Sequence, residues 1–168
     1  MNIKELLDDE NLDPEKLFDE NEYSTLLVNR EGFNKKENDI ADLIESLLEP
    51  EIDRAELEAI FSKLKEKNAR GILIESIKKA GKVEEKTKLA AACWETGLDF
   101  TNDILFFTEL ACSNNFALAM EALTVVENIE GVIAEETLSK TIEIAQNCKS
   151  PNTSITEDLI NNLRQRAL

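Results

Sequence analysis

Neighbouring carboxylates are the residues of this chain whose type and spacing could support chemistry, since it holds 35 aspartates and glutamates and no histidine. Two such pairs, Glu84–Glu85 and Glu135–Glu136, could in principle act as general acid and base. Each pair falls where a helix is predicted to begin, and negative charge there stabilises the positive end of the helix dipole. We therefore interpret both pairs as helix-stabilising residues and predict no catalytic residues and no enzyme activity.

The three cysteines, Cys93, Cys112 and Cys148, are each set among apolar residues. A zinc site would need close pairs such as C-x2-C, and a Cys/His nucleophile would need a histidine. An odd, widely spaced set also makes no disulfide framework. We predict free thiols that behave as small hydrophobic residues.

Sites for metals and phosphates are not indicated by the sequence either. The acidic segment 8–13 supplies oxygen ligands but lacks the central glycine and the terminal glutamate of a calcium loop. A glycine-rich phosphate loop is also missing from the sequence. We predict no metal and no cofactor.

The net charge of −16 bears on the class of partner. A surface with this much negative charge repels phosphate backbones and anionic lipids. We therefore predict no nucleic-acid binding and no membrane binding. A protein partner, a basic one included, remains, although solubility alone would also account for the charge. Residues 63–88 are the exception, with nine basic and four acidic side chains, and could bind an acidic partner or the N-terminal residues of the same chain.

The N-terminal residues and the hydropathy pattern bear on localisation. The first ten residues contain no apolar stretch of the kind that a signal peptide requires. The longest uncharged run, from Leu110 to Met120, is too short to span a bilayer. The sequence therefore predicts a cytoplasmic protein.

Helices must position any site in this chain, because its apolar residues recur with helical spacing. Ile40, Leu43, Ile44 and Leu47 form such a stripe, which ends before Pro50. Strict apolar/polar alternation, typical of a half-buried strand, is not found. The predicted helical hairpins pair 37–49 with 53–67, 69–80 with 83–96, 101–112 with 115–129, and 134–148 with 155–166.

Polar residues mark several of these helix boundaries. Asp53 and Thr101 are predicted N-caps, and Asn114–Asn115 is a predicted turn. Arg164 and Arg166 are expected to stabilise the C-terminal end of the last helix.

Several residue types recur about every 34 residues in the second half of the chain. Gly97 recurs as Gly131, and Leu89 recurs as Leu123. A single helical hairpin cannot bury its apolar face alone, so recurrence indicates stacking of hairpins. We predict an all-α fold: a right-handed α-α superhelix of about four stacked hairpins over residues 37–168, preceded by an acidic N-terminal arm of one or two helices over residues 1–36.

Small residues alternate with large aliphatic ones in the segments 89–97 and 116–128. In this respect the chain resembles the HEAT and armadillo-like α-superhelical repeat proteins, over about residues 37–166. The resemblance implies a scaffold for protein interactions, and it carries over no catalytic residue.

Two polar lines follow the predicted second helices, on the side that usually forms the concave, partner-binding face of such a stack. The lines are Glu84, Lys88, Ala91 and Glu95 on one helix, and Ala117, Glu121, Thr124 and Asn128 on the next. We predict a shallow groove with acidic edges that accepts a basic segment of a partner protein. Its predicted contact residues are Glu95, Glu121, Thr124, Asn128 and Trp94.

Other interpretations of these residues stay open at this point. The two lines could be an ordinary solvated face, and Trp94 could be part of the core. The runner-up function is an acidic inhibitor that imitates nucleic acid and blocks a basic site on a target protein. It would need rows of carboxylates on one exposed surface.

Overall fold

The computed structural model describes residues 38–167, and all regular secondary structure in that range is helical. Residues 40–167 lie in one compact unit. The prediction of an all-α chain is confirmed for these residues, whereas the predicted arm over residues 1–36 lies outside them. The helices are α1 (38–48), α2 (Arg54–Glu66), α3 (Arg70–Lys79), α4 (Val83–Glu95), α5 (Ile104–Ala111), α6 (Phe116–Glu127), α7 (Glu135–Gln146) and α8 (Thr153–Gln165).

Side chains that cap the helices explain several of the boundaries. The Asp53 carboxylate accepts a hydrogen bond from the Glu56 backbone N–H (2.9 Å) and so begins α2, as predicted. The side-chain oxygen of Asn115 accepts one from the Leu118 backbone N–H (3.0 Å) and begins α6. Helix α4 is followed by Gly97 with a φ of +60°, a left-handed conformation that glycine adopts without strain.

The prediction of Thr101 as an N-cap is wrong. Thr101 opens a short 3-10 turn (Thr101–Asp103), and α5 begins only at Ile104. The reason is that the Asp99 carboxylate accepts hydrogen bonds from both the backbone N–H and the hydroxyl of Thr101. The hydroxyl is thus used as a donor to Asp99.

The helices share one hydrophobic core, and α5 is its most enclosed element. Phe107 is fully buried, as is Ile104 at the start of the helix. Helix α5 packs against α6, α7 and α8, so three helices cover its apolar surface. Within each pair, α3 packs on α4, α5 on α6, and α7 on α8; between pairs, α4 packs on α6, α6 on α8, and α5 on α7.

Polar bonds also join segments that lie 33 to 40 residues apart in the sequence. The Arg70 guanidinium pairs with the Asp103 carboxylate (2.5 Å), which raises the pKa of Arg70 mainly through their hydrogen bond. The Lys88 ammonium donates to the backbone carbonyls of Leu48 (3.3 Å) and Glu49 (2.8 Å) at the end of α1. Lys88, a member of the predicted polar line, therefore stabilises the end of a helix.

The turns before α6 and α8 are bonded to each other in a similar way. The Ser150 hydroxyl donates to the Ser113 carbonyl (2.9 Å), and the Asn152 amide donates to the same oxygen (3.0 Å). Since its side chain is used there, Asn152 makes no side-chain cap for α8, which begins at residue 153 rather than at the predicted 155.

Arg166 has a different role from the predicted one, since its guanidinium stabilises the end of α6 rather than the end of its own helix. Its Nη1 donates to the Ile129 carbonyl (2.6 Å), and its Nη2 donates to the carbonyls of Val126 (2.9 Å) and Glu127 (3.2 Å). The Nε atom is held by the Asn162 side chain (2.8 Å). The long side chain thus crosses from α8 to bond backbone carbonyls at and just beyond the C-terminal end of α6.

None of the helices in residues 38–167 combines the length and the apolar character needed to cross a lipid bilayer.

Candidate functional site

Helices α4 and α6 lie side by side and bring two of the predicted contact residues together. The Trp94 indole Nε1 donates a hydrogen bond to Glu121 Oε2 at 2.7 Å, and both side chains are half-buried. Trp94 is therefore neither a core residue nor a fully exposed one. The bond fixes the orientation of the indole ring on α4 and of the carboxylate on α6.

The other three predicted contact residues differ from this pair in their exposure and in the hydrogen bonds that they make. Glu95 and Asn128 are exposed, and Thr124 is half-buried. The Thr124 hydroxyl donates to the Met120 carbonyl (3.0 Å), and the Asn128 amide donates to the Thr124 carbonyl (2.8 Å). These bonds remain within α6 and its C-terminal end, so both side chains sit in fixed orientations on that helix.

A pocket of about 490 Å³ lies where α4 and α6 end. Trp94 and Asn128 belong to its lining, whereas Glu95, Glu121 and Thr124 do not. The lining residues are Trp94, Gly97, Leu98, Asp99, Phe100, Val125, Asn128, Ile129, Glu130 and Gly131. Sequence reasoning missed the contribution of the two turns, although the recurrence of Gly97 as Gly131 was a signal that these turns occupy equivalent places.

The pocket lining carries two acidic residues, Asp99 and Glu130, and no basic one. The hydrogen bonds from Thr101 hold the pKa of the Asp99 carboxyl below its usual range, and Arg70 acts in the same direction. Asp99 is therefore ionised at neutral pH. The Lys65 ammonium lies near Gly97, 3.3 Å from where a Cβ atom would stand, so one basic group lies beside the pocket.

Two large apolar side chains are exposed on α6 near the polar line. Phe116 is 55% exposed and Met120 is 39% exposed, and they are four residues apart on one side of the helix. Ala117, a member of the line, is exposed beside them. An apolar patch flanked by polar groups is typical of a protein interaction surface. Neither Phe116 nor Met120 is among the contact residues predicted from the sequence.

Gly131 gives a direct test of how tightly the pocket wall is packed. A Cβ atom at this position would lie 2.1 Å from Thr101 Oγ1 and 2.9 Å from its Cβ and Cγ2 atoms. We expect Gly131→Ala to lower the free energy of unfolding by about 1–2 kcal/mol, since one methyl group is forced into a packed site. Urea denaturation measures this value.

The chain offers a matched control in Gly71, which lies inside α3 with no atom within 4 Å of a Cβ. Gly71→Ala should stabilise the protein, because alanine is the better helix former. In a double-mutant cycle, Thr101→Gly should remove most of the cost of Gly131→Ala. Equal stability of Gly131→Ala and the wild type would contradict the packing described here.

No group of three or more Cys, Asp or Glu side chains in residues 38–167 is arranged to hold a metal ion. Cys93 is buried, and burial raises its pKa well above the usual range of a thiol. All three cysteines are free, as predicted.

Comparisons with protein-family models, with curated proteins and with solved structures found no match to this chain. Its function therefore has to be inferred from its own residues.

Proposed function

We propose that this chain is a non-enzymatic scaffold of the HEAT or armadillo-like kind, which binds a partner protein along the face formed by α4 and α6. The superhelical arrangement over residues 37–168 belongs to the same proposal. It is supported by the packing of α4 on α6 and of α6 on α8. It is also supported by polar bonds between segments 33 to 40 residues apart, such as Arg70 with Asp103 and Arg166 with the end of α6.

The contact between Trp94 and Glu121 is the observation that carries the proposed binding site. It joins two successive second helices through a half-buried carboxylate that is held in place by an indole N–H. The indole hydrogen bond uses Oε2 of Glu121. The other carboxylate oxygen, Oε1, can accept a hydrogen bond from a lysine or arginine of the partner. A preoriented carboxylate binds a cation with little loss of conformational entropy.

The surroundings of this contact indicate the chemistry of the partner. Glu95 adds an exposed acid next to Trp94, while Phe116 and Met120 offer exposed apolar area on α6. Asp99 and Glu130 add further negative charge in the pocket at the helix ends. A partner segment with both basic and apolar side chains would complement this face. Basic groups lie beside the pocket as well: Lys65 on the Gly97 side, and Arg166, which bonds to the Ile129 carbonyl.

Affinity capture from the native host tests this proposal, with the full chain as bait and mass spectrometry to identify what is retained. We expect the double variant Glu95→Lys/Glu121→Lys to retain its partner at least tenfold less than the wild type, which corresponds to about 1.4 kcal/mol. Glu121→Gln tests the negative charge of Glu121 separately from its hydrogen bond, because the glutamine amide oxygen can still accept the bond from the Trp94 indole.

The matched control is Asp42→Lys/Glu45→Lys, which makes the same change in net charge on exposed positions of α1. This control should retain the partner as the wild type does. If both double variants lose the partner to the same extent, and a DNA duplex competes with the chain for that partner, the result would instead favour an inhibitor that imitates nucleic acid. Equal retention by all variants would remove Glu95 and Glu121 from the binding site.

A further inference from the structure

A second cleft, of about 790 Å³, lies where α5 and α7 end, away from the residues discussed above. Cys112 directly follows α5, and Cys148 lies two residues beyond the end of α7. Both thiols are half-buried, in contrast to Cys93, which is buried in the core. The lining of the cleft is Leu105, Glu109, Cys112, Lys140, Glu143, Ile144, Asn147, Cys148 and Lys149.

Cys112 and Cys148 line the same cleft, although they are 36 positions apart in the sequence. Each thiol shifts the pKa of the other, as expected of two sulfurs that lie close together. The Thr156 hydroxyl lies 3.6 Å from the Cys148 sulfur, and Ser150 lies two residues further along the chain. Polar groups that hydrogen-bond to a thiolate stabilise it.

The same contacts make the two thiols unequal. Burial, followed by the hydrogen bond to Cys148, raises the pKa of Cys112 to about 12. At Cys148 burial also acts to raise the pKa, but the bonds from Cys112, Ser150 and Thr156 outweigh it and lower the pKa below the usual thiol value. Since the thiolate is the nucleophile, these opposite pKa directions favour Cys148 as the first of the two to react.

We propose that Cys148 and Cys112 form a peroxide-sensitive pair, in which Cys148 reacts first and Cys112 closes the disulfide. A reactive, accessible cysteine beside a second cysteine is the arrangement that redox-sensing proteins use. The disulfide would tie the end of α5 to the end of α7. The charged residues of the cleft, Glu109, Lys140, Glu143 and Lys149, are of both signs.

The oxidant in this reaction is hydrogen peroxide. The Cys148 thiolate attacks one peroxide oxygen, the O–O bond breaks, and the departing hydroxide takes up a proton to become water. Cys148 is then a sulfenic acid. The Cys112 sulfur attacks the Cys148 sulfur, the S–O bond breaks, and the hydroxyl leaves as water with the Cys112 proton. Two thiols are oxidised to one disulfide, and one peroxide is reduced to two waters.

The experiment treats the reduced full-length chain with hydrogen peroxide, blocks the remaining thiols with N-ethylmaleimide and maps the peptides by mass spectrometry. We expect a chain that has lost two hydrogens, with Cys112 linked to Cys148 and with Cys93 alkylated only after unfolding. Cys93→Ser serves as the matched control and should form the same disulfide. Absence of the Cys112–Cys148 disulfide in the oxidised wild type would overturn the proposal.

Two further variants test the order of the steps. Cys112→Ser should leave a sulfenic acid at Cys148 that dimedone traps, whereas Cys148→Ser should leave Cys112 reduced at the same peroxide concentration. Equal oxidation of Cys112 in the presence and absence of Cys148 would contradict the assigned roles. The pH midpoint of Cys148 alkylation should be lower in the wild type than in Cys112→Ala, because alanine removes the thiol beside Cys148. The opposite order would also contradict the assigned roles.

Discussion

Phe107→Ala is expected to lower the free energy of unfolding by about 3–5 kcal/mol, the largest effect among the substitutions considered for this chain. Phe107 is fully buried, and its ring meets those of Phe100 (5.4 Å between centroids) and Phe106 (5.2 Å) edge to face. The cavity would open in α5, which contacts three other helices and so cannot collapse without moving them. Thermal or urea unfolding followed by circular dichroism measures the loss.

Phe106→Ala is the matched control for this prediction. Phe106 is the same residue type on the same helix, but it is half-buried, and its outer face lies 5.7 Å from the Lys78 ammonium. Its truncation should lower the free energy of unfolding by well under half as much as Phe107→Ala does, because water can fill the space that the ring leaves. Similar losses for the two variants would show that α5 is not the enclosed element of the core.

Arg166→Met is expected to cost about 2–3 kcal/mol of unfolding free energy. Methionine retains the apolar stem of the arginine but removes the guanidinium that bonds to the carbonyls of Val126, Glu127 and Ile129. Partial burial of the guanidinium lowers the pKa of Arg166, with Glu127 acting in the opposite direction, yet an arginine remains charged at neutral pH. The loss therefore reflects helix-end carbonyls deprived of a charged donor.

Arg164→Met provides the comparison, since Arg164 lies in the last turn of the same helix and is exposed. Its replacement should change stability by no more than about 0.5 kcal/mol. Hydrogen exchange would add a local measure: the last amides of α6 should exchange faster in Arg166→Met and unchanged in Arg164→Met. An Arg166→Met chain as stable as Arg164→Met would contradict the role assigned to Arg166.

The helices themselves could be predicted closely, because apolar spacing and capping residues are local signals. Asp53 and Asn115 mark helix starts in the sequence and in the structure alike. The start of α5 was misplaced because Thr101 meets a stronger local partner in Asp99, which a preference scale for cap residues does not weigh. Arg166 was assigned to its own helix because a contact across 40 residues leaves no local pattern.

The candidate site could be predicted in part for the same reasons. The spacing of the two polar lines indicated that α4 and α6 present related faces, and Trp94 and Glu121 do meet. Which side chains meet depends on the rotation of each helix about its axis, and periodicity alone does not fix that rotation. The acids from the turns, Asp99 and Glu130, were missed because turn residues follow no period.

The bonds from side chains to backbone carbonyls far away in the sequence share a direction along the chain. Lys88 reaches back to the end of α1, Ser150 and Asn152 reach back to Ser113, and Arg166 reaches back to the end of α6. In each case the donor is synthesised after the carbonyl that it satisfies. During translation, which releases the N-terminal part first, those earlier carbonyls stay hydrated until the following unit leaves the ribosome. Side chains synthesised later thereby complete the backbone hydrogen bonding of segments made before them.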